Sequence, residues 1–163
     1  LFMIAYYRGL GLVSVVSLLA YGVLMMGTLG ILSRMNAFAL TLPGIAGLIL
    51  GIGVAADTSI LIFERLKEEI ETGKTHRSAA KSAVRHAIMT SIDADIVTLV
   101  SAIALYALAI GPVRGFAFTL IIGIVVDLIA ALLFTGPVTR MLAEGTMSKA
   151  PAFWGVKGGV TRG

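Results

Sequence analysis

Cysteine is absent from the 163-residue sequence, and histidine occurs only twice. Disulfides and thiolate metal sites are therefore excluded, and two histidines without a metal-binding spacing do not indicate a zinc centre. Charge is also scarce, because charged residues make up 13% of the chain, against about 25% in soluble domains. The sequence also contains no activated nucleophile and no phosphate-binding loop. We therefore expect a protein that is not an enzyme and that carries neither a metal nor an organic cofactor.

Hydrophobic residues dominate the chain, at 58% of the composition and a mean hydropathy of +0.97. Four apolar runs are each long enough, or nearly so, to cross a bilayer core, which takes about 20 helical residues. In lipid, backbone polar groups are satisfied only within helices or within closed β-barrels. The alternating pattern of barrel strands is absent from these runs, which leaves helices. The pattern predicts an all-α membrane protein with spans at about 9–33, 42–64, 92–113 and 116–139.

The two ends of the sequence lie outside these four spans. "LFMIAYYR", residues 1–8, is apolar but too short to cross a membrane, and it is interpreted as the end of a preceding transmembrane helix. Residues 9–141 then form the transmembrane domain and residues 142–163 a tail. We therefore expect a polytopic helical bundle of four complete transmembrane helices plus the end of another.

Basic residues are distributed unequally between the connections. Arg34 and Arg114 lie in two short turns, whereas Arg8, the long loop after the second span and the tail hold eleven of the thirteen Lys and Arg residues. The positive-inside rule makes the richer side cytoplasmic. The net charge of +4 therefore concerns orientation and does not indicate nucleic-acid binding.

The long loop contains a predicted amphipathic helix at about 74–90. Lys74, Arg77, Lys81 and Arg85 recur at steps of three and four and form a basic stripe opposite an apolar face. We expect this helix to lie at the cytoplasmic membrane surface. The stripe is interpreted as a solvated face that fixes topology; contact with anionic lipid headgroups or an acidic partner is the alternative.

The stretch "GIGVAADTSILIFER" begins like a dinucleotide-binding fingerprint, with Gly51, Gly53 and Ala56 in a G-x-G-x-x-A pattern. No strand or polar turn precedes it, so the context that this motif needs is missing. Small residues can instead let neighbouring backbones approach closely, and Gly47, Gly51 and Ala55 form a small-x-x-x-small row. We predict that Gly47, Gly51 and Gly53 pack neighbouring helices around the adjacent carboxylate.

That carboxylate is Asp57, six residues before the end of the apolar run at Phe63 and so about 9 Å inside the span. A charge at this depth costs a few kcal/mol, so we expect Asp57 to face the bundle interior or a water path. Cycling between charged and neutral forms would make it a proton carrier. The alternative is a structural carboxylic acid that is protonated and bonded to Thr58, Ser59 or nearby backbone.

Three further acids complete the candidate relay. Asp93 and Asp95 precede the third apolar run, where they could instead cap a helix and complement its dipole. Asp127 lies in the middle of the fourth span with no basic residue in any span to pair with. It is expected either to share a water-filled path with Asp57 or to meet a partner chain.

Two long blocks carry a family resemblance. "LTLPGIAGLILGIGVAADTSILIFERLKEEIETGK", from Leu40 to Lys74, and "IGPVRGFAFTLIIGI", from Ile110 to Ile124, resemble the C-terminal transmembrane part of the SecD family, within the resistance-nodulation-division superfamily. Asp57 matches the membrane-embedded Asp of that family's D-A-N-V-L-I-F-E-R motif. Thr58 and Ser59 replace the Ala and Asn of the motif. Asp93 and Asp95 fall where the family tends to have D-S-N, so Asp95 takes the place of the Asn.

The resemblance implies an accessory subunit of the Sec protein-export translocase in the bacterial cytoplasmic membrane. Its partners would be a SecF-like subunit or a fused SecF half, the SecYEG channel, preproteins and membrane lipids, and its coupling ion a proton rather than sodium. An exporter of lipids or small molecules from the same superfamily is the alternative, and a passive scaffold that stabilises the translocon is the third hypothesis. The sequence upstream of Leu1 would distinguish a SecD-type periplasmic domain from a porter-type one.

Overall fold

The computed structural model describes residues 9–35 and 41–145 of the chain. No strand occurs in these two ranges. They contain five α-helices and one π-helical turn: α1 (Gly9–Arg34), α2 (Leu42–Glu71), α3 (His76–Leu108), α4 (Pro112–Ala130), the π turn (Ala131–Thr135) and α5 (Gly136–Gly145). The segments predicted at 1–8 and most of the tail at 142–163 lie outside the described residues.

Four helical units are long and apolar enough to cross a membrane. Three of them are α1, α2 and α3; the fourth combines α4 with the π turn and most of α5, and runs from Pro112 to Ala143. The predicted fold class, a multi-pass helical membrane protein, is confirmed.

Local chemistry explains where α2 and α3 begin. Thr41 precedes α2 in an extended conformation, and its Oγ1 accepts a hydrogen bond from the Gly44 N–H at 3.2 Å. Thr75 caps α3 in the same way, through the Ser78 N–H at 3.4 Å. Gly73 turns the chain between the two helices at φ 88°, a conformation that favours glycine.

α3 is one continuous helix of 33 residues, whereas the sequence pattern predicts a separate surface helix at 74–90 before a span at 92–113. Neither Gly nor Pro interrupts residues 76–108, so nothing breaks the helix where its surroundings change. The apolar face of the first half packs against α2 rather than lying on a membrane. The basic residues of the stripe are exposed as predicted.

The two largest clusters of buried residues in the described chain lie at different levels of the bundle. One joins the C-terminal part of α2 to the N-terminal part of α3, with Phe63, Leu66 and Val84 fully or almost fully buried in it. Residues after about position 62 are more than 20 residues into α2, and so beyond the ~30 Å hydrocarbon core if α2 enters that core at its start. This part is called the extension: residues 62–71 of α2, 76–88 of α3, and α5. The second cluster lies within the spans and includes Tyr21, Met25 and Val126.

At Gly47 and Gly51, α2 approaches neighbouring helices closely. A Cβ placed on Gly51 would lie 2.5 Å from Tyr21 Oη and 3.7 Å from Gly123 Cα, so α1, α2 and α4 meet at this point. A Cβ on Gly47 would lie 2.8 Å from the Phe116 carbonyl oxygen. Gly53 differs, because it is exposed and a Cβ there would meet no atom within 4 Å in the described chain. The prediction that Gly53 packs a neighbouring helix is therefore wrong for the described part of this chain.

Candidate functional site

A cavity of about 330 Å³ lies between α2 and α3, in the half of the spans nearer the extension. Its lining combines two carboxylates with four hydroxyls and a few small or apolar side chains. From α2 come Val54, Asp57, Thr58 and Leu61; from α3 come Thr90, Ser91, Ala94, Asp95 and Thr98. The steps of three and four residues show that each helix contributes one face.

Asp57 lies on the exposed rim of this cavity rather than inside the bundle. The cause is the small-residue row, because Gly51 and Ala55 are buried and Asp57, two residues after Ala55, is rotated by about 200° from it. The expectation that Asp57 faces the bundle interior is therefore wrong for the described chain, and its side chain lines the cavity instead. Leu50 and Gly53 are exposed on the same side of α2.

Asp95 faces the same cavity from α3 and is 4% exposed. Its Oδ2 atom has no hydrogen-bond partner among the described residues. Buried polar atoms are normally satisfied, so this oxygen marks a place for a proton, a water molecule or an ion. The cap interpretation of Asp95 and Asp93 is wrong, because α3 starts at His76 and both acids lie in its interior.

Asp93 is not part of the cavity. It is exposed on α3, and two residues along a helix separate it from Asp95 by about 200°. The structure therefore separates these two candidates, which the sequence places side by side. Asp93 is therefore a matched control for the acids that line the site.

Asp127, on α4, is as fully buried as Asp95. It is 4% exposed, and Thr58 Oγ1 donates a hydrogen bond to its Oδ2 at 2.8 Å. It therefore contacts the residue that follows Asp57, rather than facing Asp57 directly. Since Thr58 also lines the cavity, this hydroxyl joins the cavity to the buried acid.

Thr58 has two possible acceptors for one hydrogen. Its Oγ1 lies 3.3 Å from the Val54 carbonyl oxygen and 2.8 Å from Asp127 Oδ2. A hydroxyl donates once but can accept as well. An ionised Asp127 therefore attracts the hydroxyl hydrogen, whereas a protonated Asp127 can donate to Thr58 and turn that hydrogen toward Val54.

Sequence reasoning missed two residues of this region. Thr58 appears there only as a possible bonding partner of Asp57, although a hydroxyl directly after a membrane-embedded acid is a local signal for a relay. Tyr21 is 1% exposed, and its Oη has no hydrogen-bond partner within the described ranges although it touches Gly51 and Gly123. It is the one tyrosine inside the apolar sequence of α1. Across residues 9–35 and 41–145, no three His, Cys, Asp or Glu side chains form a group that could hold a metal ion.

Membrane-length helices around a carboxylate-lined cavity define a polytopic membrane protein with ionisable groups inside its spans. The chain belongs to the SecD/SecF family: residues 1–145 match the family model described as "Protein export membrane protein SecD/SecF, C-terminal".

Individual relatives agree with this assignment. The chain is 43% identical to the protein translocase subunit SecD of Acidaminococcus fermentans, over 96% of this chain and 37% of that protein. It is 43% identical to the subunit SecDF of Bacillus subtilis, over 88% of this chain and 19% of that protein. The crystal structure of SecDF from Thermus thermophilus, described as a translocon-associated membrane protein, superposes with a TM-score of 0.80 at 44% identity, over 89% of this chain and 20% of that chain. The chain thus spans well under half the length of these relatives.

Proposed function

We propose that this chain is the ion-conducting membrane part of an accessory subunit of the Sec protein-export machinery, and that it uses the proton gradient to promote preprotein translocation. The observation that carries the proposal is the connected set of acids: Asp57 and Asp95 at the cavity, and Asp127 joined to it by Thr58. Family membership supplies the process, protein export. The role is not enzymatic, since the work is done by moving an ion and not by making or breaking bonds in a substrate.

The cavity is the part of the site that exchanges ions. Asp57 lies exposed at its rim and Asp95 is buried at its wall, so a proton reaching the rim can be taken up by one carboxylate and shared with the other through water. Neutralising either acid removes a charge that costs a few kcal/mol within a membrane. Protonation therefore changes which arrangement of α2 and α3 is favoured.

Thr58 carries the protonation state onward to α4. When Asp127 is ionised, the Thr58 hydrogen points to its Oδ2; when Asp127 is protonated, the same hydrogen turns to the Val54 carbonyl. Direct contact at 2.8 Å leaves no space for a sodium ion between these groups. A proton, which moves along a hydrogen bond, therefore fits this step better than sodium.

The exposed face of α2 around Asp57 implies a partner. Leu50, 45% exposed, and Gly53 lie on the same exposed side of α2 as this carboxylate, and lipid tails are a poor environment for a charge. A SecF-like subunit, or a fused SecF half, would cover this face and close the ion path. The SecYEG channel and preproteins are further partners in this proposal, with the α2–α3 turn and the tail on the cytoplasmic side of the bacterial membrane.

The available energy is sufficient for such coupling. One elementary charge crossing about 100 mV releases about 2.3 kcal/mol, enough to shift a conformational equilibrium about fiftyfold. A packing change between α2, α3 and α4 of that size would alternate access to the cavity. This is the scale of effect that an export assay can detect.

Replacing Asp57 tests the proposal. Asp57→Asn keeps size and hydrogen bonding but cannot cycle a proton, so the full-length variant should assemble normally and lose the gradient-dependent part of export. Preprotein translocation into inverted membrane vesicles is measured with ATP and the export motor, with and without an uncoupler. Asp93→Asn, on the exposed side of α3 away from the cavity, is the matched control and should keep the stimulation. Full stimulation in Asp57→Asn would show that the carboxylate is structural and would reject the proposal.

A further inference from the structure

A second cavity, of about 460 Å³, lies at the extension end of the molecule, away from the acidic site. Its lining is basic and hydroxylic: Thr75, Arg77, Ser78 and Lys81 come from the start of α3, and Arg140 comes from α5. None of the five lining residues is acidic. Lys81 and Arg140 thus direct cationic side chains from two separate helices to one concave surface.

The backbone adds to this positive potential. The cavity lies at the N-terminus of α3, where the helix dipole is positive, and the first turn of α3 contains no acidic residue. Lys81 and Arg140 are exposed, so both can reorient toward a bound group. Like charges that share a concave surface repel one another, and an anion bound between them removes that repulsion.

The position of the cavity along the helices indicates which anion it meets. Lys81 lies 28 residues before Ala109 and Arg140 lies 29 residues after Gly111, which places each of them about 42–44 Å from the α3–α4 turn. A bilayer is about 30 Å thick in its hydrocarbon core and about 40–45 Å thick including both headgroup layers. If the α3–α4 turn lies at one membrane surface, the lengths of both helices place the cavity at the headgroup level of the opposite membrane surface.

The surface of the same helical unit on the membrane side of Arg140 suits acyl chains. Leu132 and Leu133, in the π turn about two helical turns from Arg140 toward the hydrocarbon core, are 51% and 76% exposed. A phosphate held between Lys81 and Arg140 would therefore have apolar surface within reach on its membrane side. A soluble phosphate compound would leave this surface unused.

We propose that this cavity binds the phosphate of an anionic phospholipid headgroup. Lys81 and Arg140 clamp the phosphate from two helices, and the hydroxyls of Thr75 and Ser78 hydrogen-bond to headgroup oxygens. The lipid then joins α3 to α5 across the extension. This proposal is independent of the proton-coupled function and would survive its rejection.

The test measures lipid binding to the full-length protein. Purified protein in detergent is titrated with phosphatidylglycerol or with zwitterionic phosphatidylcholine, and bound lipid is counted by native mass spectrometry. One cation near a membrane surface contributes enough to change affinity about fivefold. Lys81→Gln and Arg140→Gln should each weaken phosphatidylglycerol binding by about that factor, the double variant by about thirtyfold, with phosphatidylcholine binding unchanged.

Arg85→Gln is the matched control, because Arg85 lies one turn beyond Lys81 in the same basic stripe but does not line the cavity. It should keep the parental affinity within twofold, and Lys81→Arg should retain binding in a folded protein as judged by gel filtration. Equal losses in Arg85→Gln and Lys81→Gln would mean that diffuse surface charge binds lipid, and would overturn the proposal. Glycerol phosphate that binds as tightly as phosphatidylglycerol, with the same dependence on Lys81 and Arg140, would assign the cavity to a soluble anion and overturn it equally.

Discussion

The spans and the extension are stabilised by different kinds of contact, although the same helices run through both. In the extension, large apolar side chains such as Phe63, Leu66 and Ile70 are at most 2% exposed and pack against the alanine-rich face of α3. Within the spans, backbones approach closely at Gly51 and Gly123, and the buried contacts include Tyr21 and the Thr58–Asp127 hydrogen bond.

The physical reason is the solvent. Removing apolar surface from water is favourable in the extension, so a conventional core forms there. Lipid tails are as apolar as leucine, so within the spans association depends on close packing of small residues and on hydrogen bonds. The extension therefore supplies stability through burial, while the spans hold polar groups whose protonation can alter packing. The following predictions test this difference, from the largest expected effect to the smallest.

The largest effect should follow truncation of a leucine in the extension. Leu66 is 0% exposed and Leu48, within the spans, is 9% exposed. Leu66→Ala loses both transfer and packing free energy, about 2–5 kcal/mol, whereas Leu48→Ala should cost about half as much or less because lipid removes the transfer contribution. The free energy of unfolding of each purified variant is measured in mixed micelles with an increasing fraction of denaturing detergent. Equal losses of stability in the two variants would show that the extension and the spans are stabilised in the same way.

A leucine at the helix crossing should have the next largest effect. Gly51→Leu places a branched side chain against Tyr21 Oη and Gly123, where overpacking costs about 1–3 kcal/mol. Gly53→Leu, on the same helix, meets nothing within 4 Å in the described chain and is the control. The thermal midpoint of the detergent-solubilised protein should fall for Gly51→Leu alone. Similar midpoints for both variants would contradict the close approach of α1, α2 and α4.

Removing the hydroxyl that reaches Asp127 should affect coupling more than stability. Thr58→Val keeps the shape of the side chain and removes the donor, and one hydrogen bond between transmembrane helices contributes only about 0.6–2 kcal/mol. Ser59→Ala is the control, because within the described residues Ser59 donates only to the Ala55 carbonyl oxygen of its own helix, at 3.2 Å. Gradient-dependent export should fall in Thr58→Val and persist in Ser59→Ala. Retained stimulation in Thr58→Val would show that the Thr58 hydroxyl does not couple Asp127 to the cavity.

Much of this organisation follows from the sequence, and the failures have identifiable causes. Apolar run length predicts the spans, and the small-residue spacing predicts the contacts at Gly47 and Gly51, since both depend on local helix geometry. The prediction of a separate helix at 74–90 is wrong, because a helix does not need to end where its surroundings change from water to lipid. The bond between Thr58 and Asp127 joins residues 69 positions apart, a pairing that no local pattern encodes. Likewise, helical periodicity does not reveal whether the face around Asp57 is covered by the chain itself.

The smallest effect concerns an ion pair at the exposed end of the extension. Glu69, beyond the apolar run of α2, pairs with Lys74 and accepts a hydrogen bond from Ser82 Oγ at 2.8 Å, and His86 Nδ1 lies 3.6 Å from the same carboxylate. The Lys74 contact first, and then the Ser82 hydrogen bond, lower the pKa of Glu69 below its usual 4.5 in the folded protein.

Because the folded pKa is the lower one, this carboxylate stabilises the fold above its unfolded pKa, and the contribution is lost as pH falls through the folded pKa. Surface pairs contribute little, so the change should be below about 1 kcal/mol. Thermal midpoints of the parent and Glu69→Gln, measured between pH 3 and 7, should differ at neutral pH and converge toward pH 3. Glu68→Gln, which among the described contacts breaks only the exposed pair with Arg65, should leave the parental pH profile intact. A constant offset between the parent and Glu69→Gln across this range would show that Glu69 stabilises the turn through contacts that do not depend on its charge.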